Sequence, residues 1–111
     1  VSDETPQSVK MVCGVVGMMA TETMTGALTG VSRTQMQQQL AAKYLPAAKN
    51  EDTEKFANNA IYIVTHKAYE VILKDSKIQE ILPKSEYANF SRDFGKVEFQ
   101  QCMKDAENRQ K

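Results

Sequence analysis

Two cysteines, one histidine and six methionines are the side chains of this 111-residue sequence best suited to chemistry beyond acid–base work. Cys13 and Cys102 stand near opposite ends of the chain, the number and placement expected of a single bridge clamping a first helix to a last one. Closing so long a loop would remove on the order of 4 to 5 kcal/mol of unfolded-chain entropy. The alternative is a pair of free buried thiols in a reducing compartment, because cysteine also packs as a small apolar residue. A zinc site is not indicated, since there is no second histidine and no Cys-x-x-Cys.

His66 would have to anchor any histidine-based catalytic set. Glu70 lies one helical turn on and could orient it, but Thr65, the nearest nucleophile in sequence, points elsewhere, and Cys102 would be consumed by the bridge. A surface histidine paired with Glu70 is the simpler expectation. Methionine thioethers suit Cu(I), yet Met24 and Met36 fall on core faces, and Met18 and Met19 diverge by about 100° on a helix. Gap-filling in a core is the default for such residues. The carboxylates Glu51, Asp52 and Glu54 cluster at a helix start, where the helix dipole accounts for them. There is no phosphate loop and no glycine fingerprint. No catalytic, cofactor-binding or metal-ligating residue is expected, and an enzyme is the class the sequence favours least.

The elements that would position these residues are helical. The sequence has no Trp, five Gly and three Pro, sparse punctuation for a sheet protein. Fourteen basic residues balance fourteen acidic ones, so no long-range field draws the chain to nucleic acid or an anionic membrane. A single domain over 1–111 is expected, with 1–5 and 108–111 as frayed tails. The fold class is all-α: a compact bundle of four to five helices around a central N-terminal helix, clamped by one disulfide.

That first helix spans Val9 to Leu28. Val9, Val12, Cys13, Val16, Ala20, Met24 and Ala27 share one arc at 3.6-residue periodicity. Met11, Val15, Met18 and Met19 cover the opposite side, so the helix should be surrounded by partners, within one chain or in a homodimer. A strip of Gly14, Gly17 and Thr21 suggests close approach of another backbone. The uncharged run, Met11 to Ala20, is short of the ~20 residues that span a bilayer. It also lacks the flanks of a signal peptide. The absence of a methionine at Val1 fits a mature product after signal-peptide removal, hence a periplasmic or secreted protein.

Asp3 or Thr5 can cap this helix, with Pro6 in its first turn, and Gly26 and Gly30 end it. Ser32 and Gln35 form a capping box, and Val31 and Met36 a hydrophobic staple, for a second helix that starts at Arg33 and stops before Pro46. Asn50 or Asp52 caps a long helix running to about Lys74. Its main face is Ala57, Ala60, Ile61, Val64, Ala68, Val71 and Ile72. A second stripe, Tyr62, His66, Tyr69 and Leu73, lies along one line of its surface and is the candidate partner surface, or else packs under a neighbouring element. Ser76 with Gln79 repeats the capping-box spacing ahead of a short helix whose Ile78, Ile81 and Leu82 plug a core edge. In the last segment Tyr87, Phe90, Phe94 and Val97 share one arc, while Phe99, Cys102, Met103 and Ala106 lie on nearly the opposite one. A kink or break at Gly95 would reconcile them.

With Cys13, Met24, Gly30, Val31 and Ser32 so placed, the chain resembles a loose group of small exported two-cysteine helical proteins of Gram-negative bacteria. In these a cysteine-bearing first helix runs into a Met-x-x-Arg-Gln-x-Gly-Val-Ser-like turn and a second cysteine closes the last helix. Here Ala27 and Leu28 stand in place of that Arg and Gln. In size, helical content and cysteine layout the chain is also similar to periplasmic immunity proteins that neutralise effectors of type VI secretion systems. The resemblance implies a non-enzymatic protein that binds another protein, an inhibitor or immunity protein in its sharpest form. A stress holdase that loosens as carboxylates protonate, and a carrier of a small apolar ligand, are the alternatives.

Overall fold

The computed structural model describes residues 7–109, and their regular structure is entirely helical. Along α1 (Gln7–Leu28), Cys13, Val16, Ala20, Met24 and Ala27 are buried on the predicted arc, joined by Met19. The opposite flank is not surrounded: Met11 is 65% and Met18 53% exposed, and Val12, expected on the core arc, is exposed as well. The expected caps Asp3 and Thr5, together with Pro6, lie outside the described residues. By length and composition Val9–Leu28 is apolar enough to cross a membrane, more than its uncharged run alone suggests, and half of it is buried against the other helices.

The C-terminal half of α1 is rich in threonine, of which Thr23 alone is buried, and none of these hydroxyls is left unpaired. Thr21, Thr23, Thr25 and Thr29 each donate to the carbonyl four residues back, at 2.7 to 3.0 Å. Gly30, at φ 98°, closes the helix; its N–H donates to the Ala27 carbonyl and that of Val31 to the Gly26 carbonyl, at 3.3 and 2.8 Å. This is a Schellman ending, which needs the left-handed residue at Gly30 and not at Gly26. Gly26 instead lies inside the helix, where Met36 and Val31 pack onto it.

The capping box forms as expected: the Gln35 N–H donates to Ser32 Oγ at 3.1 Å, and α2 (Arg33–Tyr44) follows with Met36 and Leu40 buried. A 3₁₀ turn, Leu45–Ala47, accommodates Pro46. Asn50 is the next cap, its Oδ1 accepting from the Thr53 N–H at 2.9 Å, and it starts α3 (Glu51–His66). The rod then continues through a π-helical segment, Lys67–Ile72, and a last α turn, Leu73–Ser76, until Lys77 turns left-handed at φ 57°.

That π segment changes which residues face inward. A π bulge holds one residue more than an α turn, so the sequence phase after it slips by one position. Ala57, Ala60, Ile61, Val64 and Ala68 are buried as predicted, but Val71, expected beside them, is 48% exposed. Leu73, expected on the second stripe, takes the inward place. The short helix α4 (Ile78–Ile81) leaves Ile81 exposed rather than in a core edge, while Leu82 packs against the core. The Gln79 amide donates 3.2 Å to the Ala27 carbonyl and ties this turn to α1, while the Ser76 side chain of the expected capping box lies outside what the structure describes.

The last helix, α5 (Tyr87–Arg109), runs unbroken through Gly95. Gly95 is there for approach, not for a break. A Cβ on it would lie 2.6 Å from the Gly17 carbonyl oxygen and collide with the Thr21 hydroxyl. The predicted glycine strip is therefore where α5 crosses α1, although Gly14 faces open space. The two arcs of α5 coexist in one helix because most of their members are only partly covered: Phe94 is buried, Phe90, Phe99 and Cys102 are half-buried, and Val97 is exposed. Cys13 and Cys102 are bonded, their Cα atoms 5.4 Å apart, and fasten α1 to α5 antiparallel. The chain is thus an all-α bundle with α1 at its centre, touching α2, α3 and α5.

Candidate functional site

The Tyr62, His66, Tyr69 and Leu73 stripe is divided by the π segment. Its N-terminal half is on the surface: Tyr62 is 57% exposed, and its ring stacks on His66 with centroids 6.1 Å apart and planes 9° from parallel. The Arg33 guanidinium lies over the Tyr62 ring, 5.7 Å from its centroid, and its Nη1 reaches Glu70 Oε1 at 3.2 Å. Glu70 also meets Lys74 at 3.5 Å, so it serves Arg33 and Lys74 instead of orienting His66 as expected. The C-terminal half is structural. Tyr69 donates its hydroxyl to the Val31 carbonyl at 2.6 Å, and Leu73 is core. Neither therefore belongs to an exposed partner surface: Leu73 is taken into the core, and Tyr69 is tied by its hydroxyl to the α1–α2 turn.

A second surface lies on the other side of α3, and no sequence feature singled it out. Both α3 and α5 pack more closely on α1 than on each other. Between them runs an apolar groove in two bays. The larger, about 470 Å³, is walled by Val71, Ile72, Phe90, Phe94 and Val97, with His66 and Asp93 at its rim. The smaller, about 210 Å³, has Val16, Phe56, Ala60, Ile63 and Cys102 as its apolar lining and Asn59, Gln101 and Asp105 as a polar side. Lys67 and Glu98 border both bays and bridge them with a 2.9 Å ion pair. Glu98 is buried, so the pair satisfies a carboxylate that would otherwise be expensive to cover. Phe56 and Ile63, seven residues apart, were a legible hint of this face; the outward turn of Val71 depends on the π segment and was not.

Among the described residues no group of three His, Cys, Asp or Glu side chains could hold a metal ion. Thr65 is buried, donating to the Ile61 carbonyl at 2.8 Å and accepting from Gln37 at 3.0 Å, so it is a structural hydroxyl. Burial first, then the hydrogen bond and charge of Glu22, push the Tyr44 hydroxyl well above the ordinary tyrosine range. Tyr44 donates to Glu22 Oε2 while Lys43 holds Glu22 Oε1 at 2.9 Å. Burial also raises Tyr69. Both phenols are thus held as donors, suited to fastening helices together. Comparison with protein-family models, with curated proteins and with solved structures returns no match for this chain.

Proposed function

We propose that this chain is a non-enzymatic, protein-binding protein of the periplasm or a secreted milieu, and in its sharpest form an inhibitor or immunity protein against a cell-envelope effector. The observation that carries the proposal is the exposed Tyr62–His66 stack with Arg33 laid over it. Tyrosine and arginine are the side chains that most often dominate binding energy at protein interfaces. Here the two are already held in place by each other and by Glu70, which lowers the entropy lost on docking. The disulfide supports an oxidising compartment, and the likeness to exported two-cysteine proteins points the same way.

The test is capture from cell-envelope extract of the native host, identification of the retained protein, and a binding isotherm with that protein purified. Tyr62→Ala and His66→Ala, both at exposed positions, are each expected to weaken the isotherm at least tenfold. Undiminished binding by both would remove this surface from consideration. A second reading, carriage of a small apolar ligand, draws on the larger bay alone, which falls within the size of small-molecule sites. Native mass spectrometry of protein purified from its host would then show a retained ligand.

A further inference from the structure

The groove between α3 and α5 has the form of a missing bundle member. Its walls are helical ridges: Phe56, Ala60, Ile63 and Lys67 recur at four, three and four residues on one side, and Phe90, Phe94, Val97 and Gln101 repeat that spacing on the other. From Phe56 to Val71 it runs roughly 20 Å, about four turns of an α-helix. Four of the nine large apolar side chains exposed among the described residues, Phe56, Ile63, Val71 and Val97, line this one feature. Such concentration marks an interaction site, where scattered exposure would not.

The charges narrow the occupant. In the larger bay Asp93 and Glu98 face a single ammonium, Lys67, and Glu98 is already bound to it. That leaves the exposed carboxylate of Asp93 at the rim of an apolar wall, in a chain whose net charge is zero. A compact apolar ligand would fill one bay, leave Phe56 and Ile63 uncovered and make no use of Asp93. We infer that the groove receives one amphipathic helix of the partner protein, with an apolar stripe that drops a side chain into each bay on either side of the Lys67–Glu98 bridge, flanked by lysine or arginine that meets Asp93. This rests on the protein-binding function proposed above and specifies the partner's chemistry. It is the helix-in-groove mode of recognition, read as anchors at i, i+4 and i+7.

A suitable probe is a synthetic helix of about 16 residues with leucine at those positions and lysine beside them. Its control carries glutamate in place of every lysine. Fluorescence anisotropy is expected to show the lysine helix binding the intact, oxidised protein at least tenfold more tightly than the glutamate helix. Val97→Glu should weaken it at least tenfold and Asp93→Lys should erase the preference between the two helices. Both positions are exposed, and an unchanged thermal melt confirms that each variant is folded. Tyr62→Ala should leave the helix affinity unchanged, which separates this groove from the aromatic ridge. Equal affinity for the two helices, no binding of either, or indifference to Val97→Glu would overturn the inference while leaving the ridge to stand or fall by its own test. So would a dimer of the protein alone that Val97→Glu dissociates, or a fluorescent fatty-acyl probe that the lysine helix fails to displace.

Discussion

Tyr44 and Tyr69 join helices through their hydroxyl protons, and that makes them a test of the packing around them. Both are raised above the ordinary tyrosine value, Tyr44 by burial and by Glu22, Tyr69 by burial. A raised folded-state pKa means the folded protein holds the proton longer than the unfolded chain. The contribution is therefore complete below about pH 10, where unfolded tyrosine ionises. It is lost progressively as the pH climbs from there towards the folded value. Denaturant midpoints measured at about pH 9 and about pH 11 should fall more in the wild type than in Tyr44→Phe/Tyr69→Phe. At this scale the sequence was partly readable. Spacing put Tyr62, His66, Tyr69 and Leu73 on one line of the helix without saying which of them stay exposed, and nothing local in Tyr69 or Leu73 announces that Val31 and the core will claim them. Nor could Glu70, one turn from His66, be known to belong to Arg33, whose approach depends on how α2 folds back.

Elements with chemical punctuation were legible, and those set by contact between elements were not. Ser32 and Gln35 declare a helix start through hydrogen bonds that span only three residues. Gly30 likewise declares an end by its left-handed backbone. The π segment carries no such mark, because its phase slip answers to packing on α1 and α2. Glycine in mid-helix is ambiguous for the same reason. Gly95 suggests a break from sequence alone, yet it is the residue that lets α5 touch α1, while Gly14 one turn from Gly17 touches nothing. A matched pair of substitutions separates these meanings. Gly14→Ala should stabilise the protein by about 1 kcal/mol, the helix-propensity difference. Gly95→Ala should destabilise it by roughly 1 to 3 kcal/mol, because the methyl group meets backbone and overpacks the crossing. Urea denaturation of both variants under identical conditions reads the sign directly.

For the molecule as a whole, the bridge between Cys13 and Cys102 spans 89 residues of sequence and joins its longest helices. In the chain-entropy treatment a loop of that size is worth roughly 4 to 5 kcal/mol, a large part of the stability of so small a domain. Cys13→Ala/Cys102→Ala is expected to lower the unfolding free energy by about that amount while circular dichroism still shows helix, since α1 and α5 also meet along the Gly17–Gly95 crossing. Loss of helix on reduction would mean that the bridge creates the bundle instead of securing it. The global architecture was readable from apolar periodicity and cysteine placement; the groove was not, since it arises from two helices packing more closely on α1 than on each other.

Because α1 and α5 run antiparallel and are stapled near their outer ends, the start of α1 and the finish of α5 lie at the same end of the bundle. A permuted gene could therefore join them with a short flexible linker and open new termini in the exposed turn around Lys49 and Asn50, away from both the aromatic ridge and the floor of the groove. Such a rewired protein would retain the same wall-to-wall arrangement of helices while placing α3 ahead of α1 in the order of synthesis, and comparing the two versions would reveal whether that order matters to assembly.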